Sequence, residues 1–144
     1  MTIRPARLDD APAIAVLTAQ LGYPNLPEET ESRLRDVLDR PDGAVLVAEE
    51  EGAVAGWLYV FGIHSIETEP FALIAGLVVD ETRRSRGIGA ALVGAATDWA
   101  AEHGYRTLRV RSNVVRERAH DFYERLGFSR AKNQVVFVRP TASD

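Results

Sequence analysis

Residues 73–92 read LIAGLVVDETRRSRGIGAAL. An apolar run closes on Asp80, a basic turn carries Arg83, Arg84 and Arg86, and Gly87-Ile88-Gly89 opens an alanine-rich segment. The run, extended back to Phe71, has the pattern of a central strand covered on both faces. The segment after it has helical periodicity. Gly87 and Gly89 lack a Cβ, so a ligand can press against their backbone. The N–H groups of residues 86–90 point out of the helix start unpaired. The helix dipole adds about +0.5 elementary charge there, and the arginines add whole charges. Strand, basic turn and helix start together make a cradle for a pyrophosphate.

Two familiar phosphate loops do not match. A dinucleotide fingerprint requires a third glycine, and Gly87-Ile88-Gly89 is followed by Ala91-Leu92. A nucleoside-triphosphate loop requires a Lys followed by Ser or Thr, and neither stands here.

Working outward, residues 3–5 read as a short strand. Asp9 or Asp10 is placed to cap a helix with Pro12 in its first turn; Ile14, Leu17 and Leu21 share one stripe of it. A second helix starts at Asn25 and Pro27, turns Leu34, Val37 and Leu38 inward, and stops at Pro41-Asp42-Gly43. Residues 44–49 and 53–61 form a hairpin about Glu51-Gly52. Residues 62–70 are a loop, and 71–79 the central strand. Gly76 marks a bulge or the close approach of another backbone.

The helix after the cradle covers residues 87–102 and buries Ile88, Leu92, Ala95 and Trp99; Gly104 ends it. Residues 106–111 alternate as a strand. A last helix, 116–126, turns Ala119, Phe122, Tyr123 and Leu126 to one side and ends at Gly127. Phe128 and residues 135–139 are expected to supply final strands. The order implies one domain over residues 1–144. Its fold class is a mixed α/β sheet with helices on both faces, the 71–79 and 106–111 strands being joined by a right-handed crossover.

The 144 residues, 46% hydrophobic and 26% charged, suit one soluble domain. No apolar run approaches the ~20 residues of a membrane span, and MTIRPARLDD is not a signal peptide, so a cytoplasmic location is expected. There is no cysteine, which removes disulfides and cysteine nucleophiles. Three dispersed histidines, at 64, 103 and 120, give no zinc spacing, so no metal is expected. Residues 1–80 carry 5 basic and 14 acidic side chains; residues 81–144 carry 12 and 7. The C-terminal half suits an anion and the N-terminal half a cationic partner. No basic run is interleaved with aromatics, so nucleic acid is disfavoured.

Arg84-x-x-Gly87-x-Gly89, straight after Leu77-Val78-Val79-Asp80, resembles the acetyl-CoA signature [QR]-x-x-G-x-[GA] of the GNAT family N-acetyltransferases. Ala119-His120-Asp121-Phe122-Tyr123-Glu124-Arg125-Leu126-Gly127-Phe128 is similar to that family's A-x-x-[FL]-Y-x-x-x-G-F segment. Two motifs in order, with element order matching from Ile3 to Arg139, cover nearly the whole chain. The resemblance implies a GNAT-like fold: a mostly antiparallel central sheet in which one parallel strand pair splays apart. It implies that backbone groups of Leu77, Val78 and Val79 meet the pantetheine arm of acetyl-CoA. The backbone of Arg84, Ser85, Arg86, Gly87, Ile88, Gly89 and Ala90 would hold the pyrophosphate. Asn113 would bond the pantetheine, and Arg116 or Arg118 is in range of the 3′-phosphate. Tyr123 would protonate the departing thiolate as general acid.

One position departs from that pattern. Many members carry a Glu as general base where this chain has Ala75. His64, Glu67 and Glu69 are the nearest substitutes by sequence. Direct attack of a primary amine on the thioester is expected, the acceptor being a small molecule, an amino-sugar or a peptide N-terminus. Tyr23, between the first two helices, either lines the acceptor cleft or pins the turn. Members are often dimeric, so a homodimer is among the assemblies implied. A non-catalytic acyl-CoA sensor and a vestigial interaction module are the rival readings, and Ala75 is the feature that keeps the sensor open.

Overall fold

In the computed structural model, residues 1–84, 86–112 and 116–142 are described. They fall into two compact units, Met1–Arg111 and Ser112–Asp144.

The first unit is built on five strands: β1 (Thr2–Pro5), β2 (Gly43–Glu50), β3 (Ala53–Ile63), β4 (Phe71–Val79) and β5 (Leu108–Val110), side by side in that order. Every neighbouring pair is antiparallel except β4 with β5. Direct connections explain the antiparallel β2–β3 and β3–β4 pairs, whereas β1 reaches β2 through residues 6–42, which hold the first two helices. The parallel pair requires a crossover helix, which α3 (Ile88–Glu102) supplies. Helices α1 (Ala11–Gln20) and α2 (Pro27–Leu38) pack on one face of the sheet. Their Ala11, Ile14 and Leu34 meet Val45 and Val47, with Trp57 and Tyr59 partly buried beside them. Strand alternation sends Gly56, Leu58 and Val60 to the opposite face, where α3 lies.

The two first helices begin differently. Glu29 accepts the Leu26 N–H at 2.8 Å, and Pro27 opens α2. Asp10 stands at the α1 N-cap but makes no side-chain cap bond there. Its carboxylate turns back to the Arg7 N–H at 2.7 Å and to two Arg4 nitrogens at 2.8 and 2.9 Å. Both carboxylate oxygens are thus engaged on the chain before the helix rather than on its first turn. Leu38 ends α2 exposed rather than turned inward.

The α3 stripe is rotated from the expected one. Ile88, Leu92, Val93, Ala96 and Ala100 are buried, while Ala95 and Trp99 are only partly so. At Gly56 a Cβ would stand 3.2 Å from Leu92 Cδ1 and 3.3 Å from Ile88 Cγ2, so its absence lets the first turns of α3 settle onto β3.

The second unit holds α4 (Glu117–Arg125). Ala119, Phe122, Tyr123 and Leu126 are half-buried. Gly127 adopts φ +95°. The Phe128 N–H then bonds the Tyr123 carbonyl, and the Gly127 N–H the Glu124 carbonyl, both at 3.1 Å. This is a Schellman stop. The expected final strands are not formed. Phe128 and residues 135–139 lie outside any strand, and Val135, Val136, Phe137 and Val138 are 77–91% exposed. A strand exists only through its ladder, and β-branched propensity alone supplies no partner.

Candidate active site

The residues after β4 form a built turn. The Asp80 N–H bonds the Ala55 carbonyl at 2.8 Å, which anchors the turn to the sheet. Its carboxylate accepts the Thr82 N–H and hydroxyl, both at 3.1 Å, and caps a 3-10 turn at Glu81–Arg83. Those bonds from Thr82 hold the Asp80 carboxyl below its ordinary range. Helix α1 reaches the same turn. Gln20 accepts the Glu81 N–H at 2.9 Å and donates to Asp80 at 3.4 Å.

Gly87 caps α3 in the left-handed region at φ +79°, with no side-chain cap bond. Side chains other than glycine's rarely adopt that conformation. The first intrahelical bond runs from the Ala91 N–H to the Gly87 carbonyl at 3.0 Å, so the N–H groups of Ile88, Gly89 and Ala90 have no partner within the helix. Ile88 and Gly89 are buried, whereas Arg84, Arg86, Gly87 and Ala90 are exposed. Ile88 therefore anchors the helix by its side chain and offers only backbone to a ligand. Arg83 and Arg86 both donate to Glu50 Oε1, at 2.8 and 2.9 Å.

The parallel ladder runs from Ala72↔Leu108 to Ile74↔Val110. Beyond it, no described residue pairs with β4 on that side, while β4 continues to Val79. Rising ~3.3 Å per residue, the unpaired stretch is about 15 Å long. The Asp80–Ala55 bond sets the alternation toward β3. Gly76 and Val78 face β3 with their backbone groups, and Leu77 and Val79 turn theirs away, toward the open side. The register with β3 shifts between Tyr59 and Val60, which leaves Ala75 as an extra, exposed residue in β4. Gly76 is approached by a side chain rather than a backbone: a Cβ there would meet the Trp57 ring at 2.6 Å. The buried Trp57 Nε1 has no hydrogen-bond partner.

The remaining candidates separate. Ser85 and Asn113 lie outside the described residues. His64, Glu67 and Glu69 precede β4 at its far end, about 13 Å of strand from Ala75. His64 is engaged there: its Nε2 stands 3.2 Å from the Tyr105 hydroxyl, which donates to Asp42 at 2.6 Å. Tyr23 is 65% exposed, so its ring does not pin the turn by packing. Arg116 and Arg118 are exposed. In the second unit, Tyr123 is half-buried, with its ring edge-on to Phe122 at 5.2 Å and to Phe128 at 5.7 Å. Burial pushes its hydroxyl pKa up, partly offset by Arg116. Gln20, Glu50 and Trp57 were not foreseen. Their partners lie 19 to 61 residues away in the chain, and no local pattern marks them.

The Acetyltransferase (GNAT) family model matches residues 9–128, which takes in the β4 strand, the cradle and α4. The chain belongs to the GNAT acetyltransferase family. Acetyl-CoA-dependent N-acetyl transfer is the activity that membership assigns. An aminoglycoside N(6')-acetyltransferase type 1 of Stenotrophomonas maltophilia is 28% identical over 143 residues, covering 96% of this chain and 93% of its own. The N-acetyltransferase YhfO of Bacillus subtilis, itself uncharacterized, is 28% identical over 135 residues, 89% of each chain. The crystal structure of aminoglycoside N-acetyltransferase AAC(6')-Iy in complex with CoA superposes with a TM-score of 0.85 at 19% identity, over 98% of this chain and 95% of that one. This last likeness concerns the fold. The GNAT sheet with one parallel pair and helices on both faces is the expected fold class. Among the described residues, no helix is long and apolar enough to cross a membrane, and no cluster of His, Asp and Glu is placed to hold a metal ion.

Proposed function

We propose that this GNAT enzyme acetylates a primary amine by direct attack on the acetyl-CoA thioester, with Tyr123 as general acid. The observation that carries the reading is continuity along β4. Its unpaired half, with Leu77 and Val79 turned to the open side, runs through a capped turn to the N-terminus of α3, which has no side-chain cap bond. A pantetheine amide chain and a diphosphate need those two features in that order. Residues 1–144 are read as one acetyltransferase domain, because the family match crosses the boundary between the two units.

In this reading Leu77 and Val79 orient the pantetheine arm through their backbone groups. Arg84, Arg86 and the N–H groups of Ile88, Gly89 and Ala90 hold the diphosphate, with Ser85 and Asn113 assigned by the family pattern. The amine nitrogen bonds to the acetyl carbon, the carbon–sulfur bond breaks, and the sulfur leaves with its electron pair. Tyr123 donates its proton to that sulfur. Its raised pKa suits the role, since the phenol stays protonated at neutral pH. The proton lost by the amine leaves through water at the exposed Ala75, the position where many family members carry a Glu.

The acceptor class is supported by charge. The acidic N-terminal half suits a cationic amine, and the relationship to an aminoglycoside acetyltransferase puts amino-sugars ahead of small amines and peptide N-termini. Initial rates with acetyl-CoA and an amine varied together test the mechanism. Intersecting double-reciprocal lines are expected. Parallel lines would show an acetyl-enzyme and overturn direct attack. Acetyl-CoA binding without thiol release across amino-sugars, small amines and peptides would favour a sensor.

A further inference from the structure

We infer that Glu50 is a positioning residue for the anion cradle, holding Arg83 and Arg86 in the arrangement that receives the acetyl-CoA diphosphate; this rests on the cradle reading above. Glu50 is the last residue of β2, and its register partner is Ala53 at the start of β3. That rigid end of the sheet lies beside the turn that follows β4. A single oxygen, Oε1, accepts from Arg83 at 2.8 Å and Arg86 at 2.9 Å. The two guanidinium groups repel, and a carboxylate between them offsets the repulsion and fixes both.

The exposures divide the labour. Glu50 and Arg83 side chains are 17% and 20% exposed, while Arg86 is 53% exposed. Arg83 also approaches Asp80 at 3.8 Å, so it braces the turn. Arg86 commits one N–H to Glu50 out of five donors, and the rest of its fork faces solvent beside the α3 N-terminus. Hydrogen bonds from both arginines hold the Glu50 carboxyl below its usual range, so it stays charged at neutral pH.

Charge counting and geometry give opposite signs here. A carboxylate beside an anion site weakens binding by repulsion, so removing its charge would tighten binding if Coulomb energy alone ruled. A pre-set arginine fork strengthens binding by reducing the ordering cost, so removing its anchor would weaken binding.

The test titrates CoA into the full chain as wild type, Glu50→Gln, Arg86→Ala and the double variant, with steady-state rates alongside. Glu50→Gln is expected to weaken CoA about five- to tenfold and to raise the acetyl-CoA KM alike, with kcat at saturation within about twofold. Arg86→Ala is expected to weaken CoA at least as much, and the double variant clearly less than the product of the two single effects, the remainder being the Arg83 anchor. Unchanged or tighter binding by Glu50→Gln overturns the inference, as do fully multiplying effects in the double variant. If Arg86→Ala binds CoA like wild type, the cradle reading falls and the inference with it. Should Glu50→Gln lose its fold by circular dichroism, Glu50→Asp carries the same comparison. It keeps the charge but is one methylene too short to bridge both arginines, and wild-type affinity there also overturns the inference.

Discussion

The Phe128 ring stands edge-on to the Tyr123 ring, centroids 5.7 Å apart at 73°. The contact is the hydrophobic half of the helix stop whose polar half is the bond from the Phe128 N–H to the Tyr123 carbonyl. The Y-x-x-x-G-F spacing thus has a local physical meaning. Gly127 supplies the left-handed turn, and the turn returns Phe128 to the tyrosine four residues before the glycine. Tyr123 is held by its own helix end.

Tyr123→Phe keeps that packing and removes the proposed acid. The account predicts a fall in kcat of about 10²–10⁴-fold, with CoA affinity by titration within about twofold. Because burial raises the hydroxyl pKa, the alkaline limb of the wild-type kcat profile should lie above the ordinary tyrosine value. A fully active variant removes Tyr123 from the mechanism.

Gly56→Ala should disturb the cradle from beneath. The added Cβ would stand 2.9 Å from the Val78 carbonyl oxygen and 3.2 Å from Leu92, so β3 and β4 must part there and the Leu92 side chain under α3 must give. A loss of about 1–3 kcal/mol by urea denaturation is expected, together with a higher acetyl-CoA KM. An unchanged KM would show that the seating of α3 does not set the cradle.

Gly76→Ala should cost about 1–3 kcal/mol as well, because its Cβ would meet the Trp57 ring at 2.6 Å. The colliding atoms are at the far edge of the indole. Trp57→Phe shortens that edge, so the double variant should lose less than the sum of the singles. Additive losses in urea would contradict the contact.

Asp10 makes an acid-stability prediction. The bonds from Arg4, then the Arg7 N–H, hold its carboxyl below the ordinary value of 3.8. A depressed folded pKa gives stability that is present above the unfolded value and lost as pH falls through the folded one. The wild type should therefore lose stability below about pH 4, and Asp10→Asn should flatten that limb. At pH 7 the variant should be less stable by about 2–3 kcal/mol, since a largely buried Arg4 loses its forked partner. Chemical denaturation at pH 3 and pH 7 checks both.

Much of this was legible in the sequence because periodicity and punctuation are local. Residues 71–79 matched β4, and the second helix began at Pro27 as read. Strand β5 is shorter than the 106–111 expected, since its parallel partner engages only Ala72, Leu73 and Ile74. Residues 135–139 carried strand propensity without a ladder to join. The cradle was legible as glycines and arginines. Its bracing by Glu50 and Gln20 was not, because those contacts depend on which strand ends and helix ends the fold brings together. Ala75 was visible as a departure. That it sits exposed on a bulge became visible only through the register of β3 and β4.

The central claim is acetyl transfer from a donor held along β4 and the α3 start, and product analysis tests it most directly. The purified chain is incubated with acetyl-CoA and a panel of amino-sugars, small amines and peptides, and free thiol and acetylated amine are quantified together. The account predicts thiol release that requires an amine and matches acetyl-amine one for one, reduced at least about fivefold at subsaturating acetyl-CoA when Arg86 is replaced by Ala. Thiol release without acetylated amine, or no amine-dependent release from a chain that binds CoA, would contradict it.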